Sequence, residues 1–169
     1  KRFFLATSIF SLVGTSFIFL FFKPFRENTF MVVNASQRFS AQYLPIEAEW
    51  CVSSRQCISL EVANTFQERL IGLMYRPKLV KNRGMWFPFA YPRKVQFWML
   101  HTLPIDMVFC FKGKVVAIEE NLPTCLRMPC PGYGPDILVD SVIELGPGEV
   151  KRLNIHLEDQ VDIKHKTSL

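Results

Sequence analysis

The sequence predicts a mainly β protein with one or two short helices, a small barrel-like or closed β-sheet domain behind an N-terminal transmembrane segment. Three observations lead to this prediction. About six short apolar segments are separated by turn residues, a pattern typical of small all-β folds. A capping-box pattern marks the start of a short helix. Residues 3–22 contain no charged side chain, and a helix of that length spans about 30 Å, the thickness of a bilayer's hydrocarbon core.

The chain of 169 residues is expected to divide into three parts. Residues 1–26 are predicted to be a membrane anchor or uncleaved signal segment, residues 27–50 a linker, and residues 51–169 a single β-rich domain. The apolar run exceeds the roughly 7–15 residues of a secretory signal, so an uncleaved anchor is favoured over secretion after cleavage. The domain is then expected on the periplasmic or lumenal side of a single-pass membrane protein. Translation from Met31 would instead leave it in the cytosol.

The positive charge of the chain is concentrated around the apolar segment. The whole chain carries a net charge of +5. Residues 1–41 hold five basic and one acidic side chain, a net of +4, and residues 42–169 hold the other 15 basic and 14 acidic side chains, a net of +1. Basic residues beside an apolar span set its topology or contact anionic lipid. A domain so close to neutral lacks the basic face of a nucleic-acid binder, so the expected partner is the membrane, through residues 3–22.

Four of the five cysteines form two close pairs in loop-like sequence, Cys51 with Cys57 and Cys125 with Cys130. Cysteine pairs in loops outside a membrane favour disulfides, each contributing roughly 2 kcal/mol in the chain-entropy model. Four cysteines allow three pairings, so a bridge between the two loops stays open beside the local pairing. A structural zinc site is the weaker alternative because the spacings are long and no histidine is near. Cys110 lies in an apolar run and is predicted to be a buried free thiol.

The first elements of the domain follow from periodicity and capping. Apolar residues alternate with others over residues 57–63, which predicts a half-buried strand. Thr65 is followed three residues later by Glu68, the capping-box pattern of a helix N-terminus. Gly72 and Pro77 are expected to end this helix. Its inner face is predicted to carry Phe66, Leu70, Leu73 and Met74.

The remaining strands are separated by turn signals. The dipeptide Lys112-Gly113 lies between two apolar runs and predicts a hairpin. A loop rich in proline, cysteine and glycine is predicted over residues 122–136, and a Gly-Pro-Gly turn follows Leu145. Strands are expected over residues 95–100, 105–111, 114–119 and 142–145, and near residues 160–163.

Four sequence blocks resemble domain-of-unknown-function family 192 in order and spacing, over about residues 57–163. They are RLIGLMYR (69–76), GMWFPF (84–89), FWMLHTLPIDMVF (97–109) and VIELGPGE (142–149). The resemblance, closest to exported bacterial members, implies a small β-rich domain, often behind a signal or anchor segment, with no established activity, substrate or cofactor. His101 stands where asparagine is usual, which puts a role of that amide in doubt. Asn154 and Glu158 replace common glycines and are expected to alter only a turn.

The densest group of polar side chains surrounds Pro104, in the third of these blocks. Arginine and glutamate side chains from neighbouring blocks are expected to converge there. An apolar pocket with a few convergent polar groups is the usual form of a small-molecule site. The candidate binding pocket comprises Arg69, Arg76, Trp98, His101, Thr102, Asp106 and Glu144. The competing interpretation is a buried ion pair between Asp106 and an arginine, which would serve fold specificity.

The favoured function is a non-enzymatic envelope module that binds a small ligand, a peptide or a partner protein. No GxSxG, HExxH or glycine-rich phosphate loop occurs in the sequence, so no catalytic residue, metal ligand or cofactor is assigned. One alternative is a hydrolase that uses Asp106, His101 and Arg76. A second is periplasmic copper handling, because thioether sulfur is a soft ligand, although methionine more often fills a core. The residues concerned are His101 with the methionines Met74, Met85, Met99, Met107 and Met128.

Overall fold

A computed structural model describes residues 40–166 of the chain. The elements in chain order are β1 (Ile46–Ser53), β2 (Gln56–Val62), α1 (Phe66–Ile71), β3 (Arg83–Arg93), β4 (Phe97–Trp98), β5 (Ile105–Phe111), β6 (Lys114–Leu122), β7 (Gly132–Tyr133), β8 (Val139–Leu145), α2 (Glu149–Leu153) and β9 (Ile163–His165). The protein is therefore mainly β with two short helices. The predicted anchor, residues 1–26, lies outside the described residues, and within residues 40–166 no helix has the length and apolar character to cross a bilayer.

Seven strands form one mixed sheet in the order β6-β5-β8-β3-β2-β1-β9, and β4 pairs with β7 separately. Strands β2 and β3 are parallel, joined by the crossover that contains α1, and the other pairs are antiparallel. The predicted closed sheet is wrong, because the two edge strands do not pair with each other in the described residues. An isolated bridge from Lys114 to Gln160 touches the β6 edge, and the three residues of β9 then pair with β1 instead.

Both faces of the central strands are buried, which explains the long apolar run in β5. Side chains alternate between faces along a strand. Val108 and Cys110 join the core cluster that contains Val150 of α2; we call this side the α2 face. Met107 and Phe109 join the cluster that includes residues flanking β4, and we call this side the β4 face. The cysteine Cys110 is a buried free thiol, as predicted.

The local signals for α1 and for the β5–β6 hairpin are confirmed. Thr65 and Glu68 form the complete capping box, and Gly72 is the C-cap of α1. Lys112 and Gly113 have φ of 51° and 71°, as a tight hairpin turn requires. The predicted inner face of α1 is wrong in part, because Phe66 is 77% and Leu70 56% exposed. The helix is only six residues long and lies over a cavity, so these side chains meet no core.

Other boundaries depart from the sequence expectation. Strand β1 begins at Ile46, inside the predicted linker, because its backbone pairs with β2 on one side and β9 on the other. The Gly-Pro-Gly turn after Leu145 forms as expected, and helix α2, which was not predicted at this position, begins directly after it at Glu149. The predicted strand over residues 95–100 is reduced to β4, Phe97–Trp98. The last strand is Ile163–His165 rather than a strand near residues 160–163.

The two disulfides take the local pairing. Cys51 and Cys57 are bridged across the β1–β2 hairpin, and Cys125 and Cys130 are bridged within the loop between β6 and β8. A zinc site built from four thiolates is therefore excluded, because all four sulfurs are in disulfides. Glu49 lies close to Cys51 and Cys57, but this cluster offers no thiolate to a metal for the same reason.

Candidate functional site

A cavity of about 540 Å³ opens on the β4 face of the sheet. Its walls are formed by α1 and the residues that follow it, by β3, and by the segment that leads into β4. Its volume is within the range of small-molecule pockets, about 300–1,000 Å³. The wall is largely apolar and includes Leu73, Phe87, Phe89, Val95 and Phe97. Leu70, Trp98 and Met128 also line it and are each more than half exposed, so they form its mouth.

The cavity exists because α1 covers the sheet without filling the space beneath it. None of its six residues is buried. The chain then turns at Gly72, which has φ of 50° and lies beside Phe87 and Glu144. A side chain is strained at that φ, and a Cβ there would lie 3.5 Å from the Phe87 ring and 3.8 Å from Glu144 Oε2. The glycine therefore keeps this part of the cavity open.

Glu144 is the buried acidic group of the cavity lining. It lies on β8, is 5% exposed, and its Oε2 has no hydrogen-bond partner among residues 40–166. Burial raises the pKa of its carboxyl to about 8, although the positive charge of Arg76 acts to lower this pKa. The group is therefore mainly neutral at pH 7. A neutral carboxyl can both donate and accept a hydrogen bond, so Glu144 is equipped to hold a polar atom of a ligand.

The guanidinium of Arg76 is fully engaged within the fold. It donates to both carboxylate oxygens of Glu61, at 2.8 and 2.6 Å, and to the carbonyl of Gln42 at 2.9 Å. It also lies over the Tyr43 ring, 4.6 Å from the centroid. The sequence anticipated a buried arginine–carboxylate pair, but the carboxylate is Glu61 and not Asp106. Arg76 does not line the cavity.

Asp106 lies on the α2 face, directed away from the cavity. One carboxylate oxygen accepts the backbone N–H of Asn121 at 2.8 Å, and the other accepts that of Val150 at 2.9 Å. The residue is fully buried. Its carboxylate connects the end of β6 to the first turn of α2, the helix that follows the Gly-Pro-Gly turn. This is a structural role.

The other predicted residues divide between cavity and scaffold. His101 has φ of 50° and its ring stacks on Tyr75, with centroids 5.1 Å apart. The buried Thr102 hydroxyl donates to the Leu100 carbonyl at 3.2 Å. Of the predicted pocket, the lining residues are Arg69, Trp98, Thr102 and Glu144, whereas Arg76, His101 and Asp106 are outside it.

Sequence reasoning missed most of the lining residues, among them Arg93, Lys94 and Met128. The available signal for the first two was a basic pair directly after Pro92, where an apolar strand ends. Met128 lies in the disulfide loop between β6 and β8, and no local pattern points to its position. Its approach to the cavity depends on the tertiary fold.

The methionines of the copper alternative are separated by the fold. Met85, Met99 and Met107 are fully buried in the core cluster of the β4 face. Met74 and Met128 line the cavity instead. The predominant role of this set is therefore packing, and His101 is engaged with Tyr75.

Comparison with solved structures finds the same fold in two bacterial proteins. A protein from Sinorhizobium meliloti 1021, described as a "putative transcription regulator", is 29% identical, with a TM-score of 0.61 over 75% of this chain and 96% of that one. A protein of unknown function from Novosphingobium aromaticivorans DSM 12444 is 25% identical, with a TM-score of 0.61 over 74% of this chain and 94% of that one. A comparison with curated proteins finds no match.

The four blocks noted in the sequence all fall within one family match. The model of domain-of-unknown-function family 192, described as "Uncharacterized ACR", matches residues 49–163. This range extends the expected match, which began near residue 57, to include most of β1. The match covers more than half of the chain, and the protein belongs to the DUF192 family.

Proposed function

We propose that this domain is a non-enzymatic binding module whose ligand places its apolar part in the cavity of the β4 face. The observation that carries the proposal is that Glu144 lines an apolar cavity and that its buried Oε2 has no hydrogen-bond partner among residues 40–166. Leaving a buried polar group unpaired costs about 1–3 kcal/mol, and such groups are rare in native proteins. A ligand that hydrogen-bonds to Glu144 removes this cost when it binds.

The geometry favours binding over the hydrolase alternative. That alternative needs Asp106, His101 and Arg76 to act on one substrate. Both oxygens of Asp106 accept backbone amides on the α2 face, and Arg76 is paired with Glu61. Neither group is offered to a substrate in the cavity. The free thiol of Cys110 is no better placed, since burial raises its pKa to about 12.

The proposed location is outside a membrane, with residues 3–22 as the anchor and the domain on the periplasmic or lumenal side. Two disulfides support this location, because disulfides persist in oxidising compartments. A ligand reaching the cavity would then come from the envelope or from outside the cell. The description of the Sinorhizobium protein as a transcription regulator is not carried over, because residues 42–169 have a net charge of only +1 and nucleic-acid binding needs a basic face.

Photoaffinity labelling with a photoreactive ligand tests this proposal. The full chain is placed in phosphatidylcholine nanodiscs with a decanol analogue that bears a diazirine on its alkyl chain, and labelled peptides are identified by mass spectrometry. We expect saturable labelling of the cavity wall, at peptides that contain Leu73 or Phe87. Trp98→Ala should raise the half-saturating concentration about fivefold or more, since a contacting aromatic ring contributes about 1 kcal/mol or more.

Tyr91→Ala is the matched control, because Tyr91 is an exposed aromatic residue outside the cavity lining. It should leave the half-saturating concentration unchanged. In the folded wild type, labelling that is not saturable or that is spread over the surface would contradict the proposal.

A further inference from the structure

Two arginines stand at the junction between the main cavity and a second, more polar one. The second cavity, of about 370 Å³, is formed with Asn64, Pro88 and Ala90. Arg69, Phe89 and Arg93 line both cavities. The two spaces are therefore parts of one groove, apolar at the Glu144 end and flanked by two positive charges at the other.

Neither of these arginines is neutralised by a carboxylate in the described part of the chain. The buried Arg76 pairs with Glu61, and Arg152 pairs with Glu149. Arg69 instead donates through Nη1 to the backbone carbonyls of Ala63 and Asn64, at 3.3 and 2.5 Å. Its other guanidinium nitrogens have no hydrogen-bond partner within residues 40–166.

Arg93 is held in a comparable way. Its Nε donates to the Tyr91 carbonyl at 3.4 Å, and its guanidinium lies over the Phe89 ring, 5.2 Å from the centroid. Both Nη atoms have no hydrogen-bond partner among the described residues. Backbone and ring contacts thus position each guanidinium while leaving N–H groups free to bind an anion.

The charge of the groove favours an anion at the end that Arg69 and Arg93 flank. Lys94 adds a third cation at the rim, and its partner Asp136 is on the exposed surface, 2.6 Å away. Glu144 is the acidic side chain among the residues that line the two cavities, and it lies at the apolar end. Because that carboxyl is mainly neutral at pH 7, it does not repel an anionic ligand.

We propose that the ligand is a free single-chain amphiphile with an oxyanion head, a carboxylate or a phosphate monoester, held between Arg69 and Arg93. Its apolar chain extends into the cavity towards Glu144. Guanidinium groups bind either oxyanion through paired hydrogen bonds and are weakly hydrated, which suits a head group at the edge of an apolar space. This inference rests on the proposed binding function and specifies the chemical class of the ligand.

The test compares three photoreactive probes with the same ten-carbon chain, namely a decanoate, a decyl phosphate and the neutral decanol analogue. Each labels the full chain in phosphatidylcholine nanodiscs at low ionic strength. In the wild type, both anions should half-saturate the cavity peptides at concentrations about tenfold or more below that of the alcohol. In the double variant Arg69→Gln/Arg93→Gln this ratio should fall to about one, with labelling by the alcohol unchanged.

The control variant Arg55→Gln/Lys151→Gln removes the same charge from exposed residues outside the groove and should keep the wild-type ratio. Comparing the ratio of anion to alcohol between variants cancels partition of the probes into the lipid, because each probe partitions equally in all samples. Circular dichroism confirms that each variant is folded.

The outcomes separate this inference from the proposal beneath it. If no probe labels the cavity, the binding function itself fails. If the alcohol labels the cavity but the anions show no preference, the binding function holds and the oxyanion class is wrong. If the preference survives in the double glutamine variant, Arg69 and Arg93 do not hold the head group and the inference is wrong. If photoreactive phosphatidylglycerol in the nanodiscs labels the cavity peptides and the free anions do not, the occupant is a bilayer lipid and the free amphiphile is excluded.

Discussion

Two buried carboxyl groups occupy neighbouring strands of the same sheet, yet their surroundings are opposite. Asp106 of β5 lies on the α2 face, where backbone amides from Asn121 and Val150 each donate to one of its oxygens. Glu144 of β8 lies on the β4 face, beside an open cavity, with an oxygen that has no partner in the described residues. The two residues occupy adjacent positions of the β5–β8 ladder, since Asp106 is opposite Leu145 and Met107 is opposite Glu144. Their side chains therefore point to opposite faces of the sheet.

The contrast shows how to read a buried charge in a protein without an assigned activity. A carboxylate whose oxygens are all satisfied by backbone groups is a fixed part of the fold. A carboxyl that is buried, unsatisfied and adjacent to empty space has unused bonding capacity, which marks it as a candidate for ligand contact. Three experiments test whether this difference between Asp106 and Glu144 is real.

The largest effect is expected at Asp106. Asp106→Asn places an amide NH₂ against one of the two backbone N–H donors, so one buried donor loses its acceptor and the charged hydrogen bonds are lost. The free energy of unfolding should fall by about 3 kcal/mol, measured by urea denaturation. Photolabelling of the cavity in the folded variant should be unchanged. Asp162→Asn, at an exposed side chain, is the control and should change stability by less than about 0.5 kcal/mol.

A loss of less than about 1 kcal/mol at Asp106, or a loss of labelling while the variant is still folded, would contradict the structural role given to this residue. It would return Asp106 to the binding site that the sequence suggested.

An intermediate, pH-dependent effect is expected at Glu144. The folded-state pKa of its carboxyl is about 8, above the ordinary value of 4.5. Below about 4.5 the group is protonated in both folded and unfolded chains, and its contribution to stability is fully present. As pH rises towards 8 the unfolded chain loses the proton first, so this contribution declines by about 1 kcal/mol per pH unit.

Glu144→Gln does not titrate and should lack this decline. Between pH 5 and 8 the unfolding free energy of the wild type should therefore fall relative to that of Glu144→Gln. Glu120→Gln, at an exposed carboxylate, should follow the wild-type profile. Parallel profiles for wild type and Glu144→Gln would mean that Glu144 is ionised in the fold and is not the neutral group we describe.

The smallest effect is expected at His101, which lies in the chain between Trp98 of the cavity lining and Asp106. Its φ of 50° is a conformation that asparagine adopts more readily than most residues. We expect His101→Asn to be more stable than His101→Ala by about 1 kcal/mol, in thermal or urea denaturation, because alanine loses the ring stacking and keeps the backbone strain. The half-saturating probe concentration should be the same in both variants.

That result would explain the family's usual asparagine as a backbone preference rather than a ligand contact. A marked change in probe binding by His101→Asn would show instead that the amide acts in the cavity, and would join the two regions that the structure separates.

Much of the fold was predictable from local signals. The Thr65–Glu68 capping box and the Lys112-Gly113 turn each act over a few residues, and both formed where expected. The positive φ of Asn154 and Glu158 accords with their replacing glycines in the family pattern, because glycine tolerates that backbone. Helix α2 was not predictable, because its first turn depends on the carboxylate of Asp106, 44 residues earlier in the chain.

The candidate site was predictable only in part, because Arg69, Trp98, Thr102 and Glu144 line the cavity whereas the other three predicted residues do not. Sequence proximity grouped Trp98, Thr102 and Asp106, but a strand sends successive side chains to opposite faces. A shift of one residue in register decides which face a polar group occupies, and no local pattern in the sequence fixes that register. The partner of Arg76 was missed for a related reason, since Glu61 comes from a strand outside the polar block.

The sequence by itself determined the short helix, the hairpin, the buried free thiol and membership of the DUF192 family, because these depend on contacts between near neighbours or on the order and spacing of the four sequence blocks. The apolar segment at residues 3–22 is visible in the sequence, and the membrane anchor inferred from it stays a prediction. Only the tertiary structure decided that the sheet stays open, that Asp106 is satisfied while Glu144 is not, and that Arg69 meets Arg93 at one groove. These features depend on strand order and register, which arise when distant segments pack together.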